Sequence, residues 1–239
     1  MADQSQTQSV QDYLKAVYRL RKPGRTVGTS ELAEELSVSP ASVTGMLKRL
    51  SKDGYVDYTP RQGAELTSKG LEVALEIIRH HRLLELFFVE RLGMDWAQAH
   101  QEAEILEHFI SEESENIIDT AMGHPELDPQ GSPIPTRSGE IKHHAWPTLR
   151  ELPVGAKCVV RRVQHETPEL LRYVEKLGMV PGKMVCILEV GPFDGPITIE
   201  LEGRTMHLGP NVADAIQVEP VDGTSSPDRE SQAIRLDHV

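Results

Sequence analysis

Cysteine is nearly absent from this 239-residue chain: there are two, Cys158 and Cys186, and neither belongs to a CxxC pair. Both lie in apolar, strand-like segments, which makes them core residues in a reduced, cytoplasmic setting. Long apolar runs are missing too, so no membrane span is expected. The first residues, MADQSQTQSVQDY, lack the basic start and apolar stretch of a secretory signal. Internal repeats and an HExxH motif are also missing, and without HExxH or a separate general base a metallohydrolase has little to stand on.

The residues present describe a soluble protein of one to three domains, 38% apolar and 26% charged, with a net charge of −12. That acidity looks wrong for a nucleic-acid binder until its distribution is read. Residues 1–75 carry a net +1, residues 76–150 a net −8 and residues 151–239 a net −5. A near-neutral head can bind phosphates if its basic residues share a face, and an acidic middle can hold a cation.

The head has the order of a winged helix-turn-helix. A helix is expected over about Val10–Leu20, with Val10, Leu14, Val17 and Tyr18 as its apolar stripe. A short helix over Glu31–Leu36, capped by Thr29 or Ser30, precedes a turn. Ser39 then serves as N-cap with Pro40 at the first helical position, opening a third helix to about Lys52. Tyr55–Tyr58 and Ala64–Thr67 form a ribbon around Arg61-Gln62-Gly63. In this frame the third helix enters the major groove. Ser39, Pro40, Ser42 and Thr44 form its leading face, Lys48 and Arg49 its basic side, and Arg61 the wing tip, with double-stranded DNA as partner. Short hydroxyls read bases weakly, so the target sequence is not legible.

A long helix from Leu71 to about Arg91 follows, broken by Gly93. A further helix, about Ala97–Ile110, carries His100, Glu104, Glu107 and His108 at spacing i, i+4, i+7, i+8, which places them on one face. His81 and Glu85 sit i, i+4 on the preceding helix, and Asp12 lies on the first. Antiparallel helices bring such groups together, as bundle metal sites do, although an acidic face with histidines also describes a solvated surface. So many apolar helical faces in a short span suggest packing across a homodimer. Residues 123–150, rich in proline and glycine, form a loop or linker. Strand-like runs at 157–163, 184–190, 197–201 and 216–219, with a helix near 168–177, fit a small β-barrel. The tail from about residue 221 is expected to be disordered.

Several stretches together resemble the diphtheria-toxin-repressor family of metal-dependent regulators, manganese-type, over roughly residues 8–220. They are Asp12-Tyr13-Leu14, Ser39-Pro40-Ala41-Ser42-Val43-Thr44, Leu66-Thr67-Ser68-Lys69-Gly70, Arg79 to Glu85, His100 to His108, and Gly131-Ser132-Pro133-Ile134-Pro135. The resemblance implies a mainly α protein with a small β domain. Its parts would be a winged helix-turn-helix head (1–73), a helical metal-binding and dimerisation domain with a Pro-rich linker (74–147), and an SH3-like, FeoA-like barrel (148–220) before the tail (221–239).

The same resemblance implies two metal sites per subunit. One would use Asp12, Glu104, Glu107 and His108, the other His81, Glu85 and His100, with Glu166 or Glu169 as an extra ligand from the third domain. Aspartate and glutamate at positions 12 and 104 match manganese-type members, where iron-type members have methionine and cysteine; Mn(II) is the expected cofactor, with Fe(II) also accepted. Some manganese-type members place a glutamate one turn after the aspartate, where this chain has Lys15. The function implied is a metal-dependent regulator, a repressor of metal-uptake genes acting on a palindromic operator, and not an enzyme. Its rivals are a metal-independent winged-helix regulator sensing an organic ligand and, further off, a metallohydrolase or a metal-storage scaffold.

Overall fold

The computed structural model describes residues 7–142, 144–164 and 167–221. The head is built from α1 (Gln8–Leu20), α2 (Thr29–Glu35), α3 (Pro40–Lys52) and the two-stranded ribbon β1 (Val56–Thr59) and β2 (Gly63–Leu66). Leu14, Leu32, Val43, Leu47 and Leu50 are fully buried where these elements meet. At roughly 1.5–3 kcal/mol for each buried large apolar side chain, this cluster accounts for the head's cohesion. Ser39 caps α3 as expected, its hydroxyl accepting from Ser42 N at 3.1 Å, with Pro40 at the first position. The cap of α2 differs from expectation. It is Gly28, whose backbone N–H donates to the Glu31 carboxylate at 2.9 Å, so a side chain reaching back does the work expected of Thr29 or Ser30.

The spine is α4 (Ser68–Leu92), a 25-residue helix that begins in the head and runs through the middle of the molecule. It enters against the ribbon so closely that a Cβ on Gly70 would lie 2.0 Å from the Tyr55 carbonyl oxygen. Gly93, in the left-handed region at φ 70°, ends it. Packed on α4 are α5 (Trp96–Leu106) and α6 (Glu112–Ala121). The fifth helix was expected to continue to Ile110 but α5 stops at Leu106. Phe109 N bonds back to Leu106 O at 3.0 Å, a tighter turn that ends the α-helical ladder. Glu107 is therefore the C-cap and His108 lies beyond it.

Residues 123–147 are more than a linker. Asp128, Gln130, Ser132 and Ile134 are buried. Asp128 Oδ1 accepts from the backbone N–H groups of Gln130 and Ser132. The Gln130 carbonyl accepts from Val163 N at 2.9 Å, and Arg162 donates to the Ser132 hydroxyl at 2.8 Å. A Cβ on Gly131 would meet the Arg161 carbonyl oxygen at 2.0 Å. On the other side, Arg79 donates to the Pro135 carbonyl at 2.8 Å and Arg82 to the Pro133 carbonyl.

The C-terminal domain contains β3 (Lys157–Val163), α7 (Pro168–Leu177), β4 (Met184–Val190), β5 (Ile197–Leu201), β6 (Arg204–Leu208), α8 (Pro210–Ala215) and β7 (Ile216–Pro220). The strands pair antiparallel in the order β6-β5-β4-β3-β7. Register shifts between Val160 and Arg162 and between Ile187 and Glu189 bend the sheet. The expected barrel is not closed. The chain passes from β6 to β7 through α8, and the outer edge of β7 is bonded by the segment before β3, Val218 N donating to the Pro147 carbonyl at 2.9 Å. Both β6 and α8 were absent from the sequence expectation. The expected disordered tail lies outside the described residues apart from Val221.

Candidate metal centre and DNA-reading surface

All seven expected metal-ligating residues converge where α1, α4 and the end of α5 meet. His81, Glu85, His100 and Glu107 are buried, and Asp12, Glu104 and His108 are partly so. Glu107 is the hinge of the group. Its Oε2 lies 2.6 Å from His81 Nδ1, and its Oε1 lies 3.5 Å from His108 Nε2. His108 Nε2 in turn lies 3.1 Å from Asp12 Oδ1. On the far side of the His81 ring, Nε2 lies 3.2 Å from His100 Nδ1 and 3.3 Å from Glu85 Oε1, and His100 Nδ1 lies 2.8 Å from Glu85 Oε1.

Two donor triads come within 4.8 Å internally among the described residues: Asp12, Glu107 and His108, and His81, His100 and Glu104. The first joins the head to the core, as expected for Asp12. The second departs from expectation: Glu104 groups with His81 and His100 rather than with Asp12. Its Oε1 lies 3.8 Å from His81 Nδ1 and 4.0 Å from His100 Nε2. Because His100 and Glu104 are i, i+4 on α5, the helix itself sets that pairing. Glu169 stands exposed in the first turn of α7, and Glu166 lies outside the described residues.

Three further residues belong to this centre. Lys15, one turn after Asp12, is buried, and its ammonium donates to Glu104 Oε1 at 2.8 Å and to both Glu107 oxygens at 2.7 Å. Arg19 lies 3.5 Å from Glu104, and Gln11 meets His108 Nδ1 at 2.8 Å. The i, i+4 spacing of Lys15 and Arg19 carried the signal, since it puts both cations on one face of α1. Burial pushes the Glu104 carboxyl up, but the charges of Lys15 and Arg19 outweigh it and hold it at about 2. Burial, reinforced by Glu104, raises Glu107 to about 7 against the pull of Lys15. Burial, followed by Lys15 and Arg19, holds His81 well below the usual imidazole value and therefore neutral, the form in which it donates a lone pair.

Behind the centre sits a second buried ionic group. Arg79 contacts Glu115 at 2.5 Å and Asp119 at 3.1 Å. Burial raises the Glu115 carboxyl, but the His80 imidazole 3.5 Å away and the Arg79 guanidinium prevail and hold it at about 2.

The expected DNA surface lies on the opposite side of the head's core. Ser39, Pro40, Ser42, Lys48 and Arg49 are exposed and Thr44 half-buried. The Ser39 and Ser42 hydroxyls lie 2.9 Å apart, and Thr44 bonds back to the Pro40 carbonyl at 2.9 Å. A Cβ on Gly45 would meet nothing within 4 Å, so a partner can approach the helix there. Arg61 is exposed at the ribbon tip, in the left-handed region at φ 69°.

A winged helical head, a helical core with an imidazole and carboxylate centre, and a small β domain define a class: DNA-binding regulators governed by a metal. Comparison with known proteins agrees. Three family models match in succession: the iron-dependent repressor N-terminal DNA-binding domain over residues 6–64, the iron-dependent repressor metal-binding and dimerisation domain over 67–136, and the FeoA domain over 148–220. The iron-dependent repressor IdeR of Mycobacterium tuberculosis is 31% identical over 225 residues, which is 87% of this chain and 96% of that protein. The HTH-type transcriptional regulator MntR of Bacillus subtilis is 32% identical over 139 residues, 58% of this chain and 97% of the relative. A solved manganese-dependent transcriptional repressor in complex with manganese superposes with a TM-score of 0.82 at 33% identity, covering 89% of this chain and all of that one. The chain belongs to the iron-dependent repressor family of metal-sensing, DNA-binding transcription regulators. These relatives are repressors and regulators, not enzymes.

Proposed function

We propose that this chain is a cytoplasmic, homodimeric repressor that responds to Mn(II), accepts Fe(II), and acts on a palindromic operator of metal-uptake genes. Division into a DNA-binding head (1–73), a metal-binding and dimerisation domain (74–147) and a FeoA-like domain (148–220) is part of the same reading. One observation carries it: Asp12 of the head reaches Glu107 and His108 at the end of α5, with donor atoms within 4.8 Å of one another. The donor chemistry fits the ion. Carboxylate oxygens and imidazole nitrogens, without a thiolate, suit Mn(II) and Fe(II) better than softer metals. Ile105, Phe109 and Ile117, exposed on and beside α5 and α6, supply apolar surface for a second copy.

Asp12, Glu107 and His108 form the regulatory set, and His81, Glu85 and His100 the neighbouring one, with Glu104 on the side of His81 and His100. A divalent ion supplies positive charge that offsets the carboxylates and ties the head to the core. The chain does the rest. Asp12 is fixed on α1, so holding its carboxylate against the end of α5 fixes the orientation of the whole head. The spacing of two reading helices in a dimer follows from that orientation, and half-sites one helical turn apart require it to be held. A coupling of about 1–3 kcal/mol per site would change operator affinity ~5–150-fold.

A gel-shift titration with and without Mn(II) on the gene's own upstream DNA tests the reading. Asp12→Ala and His108→Ala are expected to remain folded dimers that gain no operator affinity on adding Mn(II). If either variant still required Mn(II) to bind DNA, the clamp would be wrong.

A further inference from the structure

The Lys15 ammonium sits where a cation belongs. It contacts Glu104 and both oxygens of Glu107 within 2.8 Å, and lies 3.5 Å from His81 Nδ1. A nitrogen and three carboxylate oxygens around one point make a cation position, and a side chain from α1 already fills it. Its side chain is 4% exposed and Glu107 is fully buried, so water screens that contact little, while Glu104, 38% exposed, is open to solvent on its outer side. Glu107 has one oxygen toward His108 and the other toward His81. It therefore borders both the position held by the ammonium and the position lined by Asp12 and His108.

We infer that Lys15 is a built-in cation that occupies the Glu104–Glu107–His81 position and so limits the centre to a single divalent ion on the Glu107 carboxylate, at the Asp12–Glu107–His108 position beside it. The inference rests on the metal-binding reading above. Two consequences follow from charge alone. The ammonium holds Glu104 and Glu107 together before any metal arrives, which would otherwise be a pair of like charges. It also repels an incoming dication, so affinity at the adjacent position is held down, which suits a sensor that must release its metal.

The test uses the full-length protein, Lys15→Met and Lys15→Glu, with Mn(II) as the probe. Bound Mn(II) per chain is measured by equilibrium dialysis, and its electron paramagnetic resonance spectrum is recorded at low temperature. Wild type is expected to show only uncoupled Mn(II). Lys15→Met, which keeps the stem and removes the charge, should bind Mn(II) at least about tenfold more tightly, the water-like lower limit for removing a unit charge a few ångströms from a dication. Lys15→Glu should take up one further ion per chain and show an exchange-coupled pair. Without metal, both variants should melt at a lower temperature than wild type and recover when Mn(II) is added. A coupled pair in wild type would overturn the inference and leave the metal reading standing. So would Lys15→Met with unchanged affinity and Lys15→Glu with unchanged stoichiometry, provided both are folded by circular dichroism. A wild type that takes up no Mn(II) would sink the metal reading, and this inference with it.

Discussion

The helical centre and the C-terminal sheet domain both bury apolar side chains, but only the helical centre buries charged ones among the described residues. The sheet domain packs Leu149, Val160, Leu171, Val174, Ile187, Ile199 and Leu201 into a continuous apolar core. The region around α4 also buries Lys15, Arg79, His81, Glu85, Glu107 and Glu115. Apolar packing depends little on pH or on which metal ions are present. Buried ionic groups stabilise only while every partner stays in place, because a lone buried charge is costly. The first kind of core makes a scaffold, and the second makes a device whose stability depends on ions.

Four measurements would break or sharpen that contrast. The largest effect is expected from Glu115→Ala, which leaves buried Arg79 with Asp119 and the Pro135 carbonyl. A loss of about 3–5 kcal/mol in urea unfolding follows from breaking a buried pair. The same carboxylate sets the acid limit. Its folded value of about 2 lies below the unfolded one, so its contribution is present above about 4.3 and is lost as pH falls from there toward 2. Glu115→Gln should show a shallower acid limb in a pH series of melts. Next comes Ile199→Ala in the sheet core, expected to cost about 2–5 kcal/mol with Mn(II) affinity unchanged; a comparable fall in metal affinity would deny the separation of scaffold from device. Smallest is Gly45→Ala. It meets no neighbour, so the helix should gain roughly 1 kcal/mol, while operator affinity falls if DNA approaches there. Unchanged operator affinity would move the DNA contact elsewhere.

The parts of the fold that were legible are those with local causes. The Ser39 cap with Pro40, the apolar stripe of α1 and the stop at Gly93 each depend on a few adjacent residues, and each is found in the structure. What was not legible depends on several elements at once. β6 alternates only over Met206 and Leu208, with Thr205 and His207 exposed, which is too short a run to stand out. Closure of the barrel depended on whether β6 and β7, at opposite ends of the sheet, would pair, and β7 instead bonds the segment around Pro147. The ligand set was readable as chemistry, because histidines and carboxylates at helical spacing mark a face. Its grouping was not, because the same turn of α5 offers Glu104 to either side, and only the crossing with α4 directs it to His81 and His100. Lys15 appeared as a departure from a family pattern; its place among the acids needed α1, α4 and α5 assembled.

The strap from Glu126 to Thr136 bonds to α4 through Arg79 and Arg82 on one face and to β3 through Val163 and Arg162 on the other. The terminal domain is thus geared to the spine rather than hung from it. Those bonds leave α4 at Arg79 and Arg82, on either side of His81 and one turn before Glu85, so the strap is anchored beside two residues of the imidazole site.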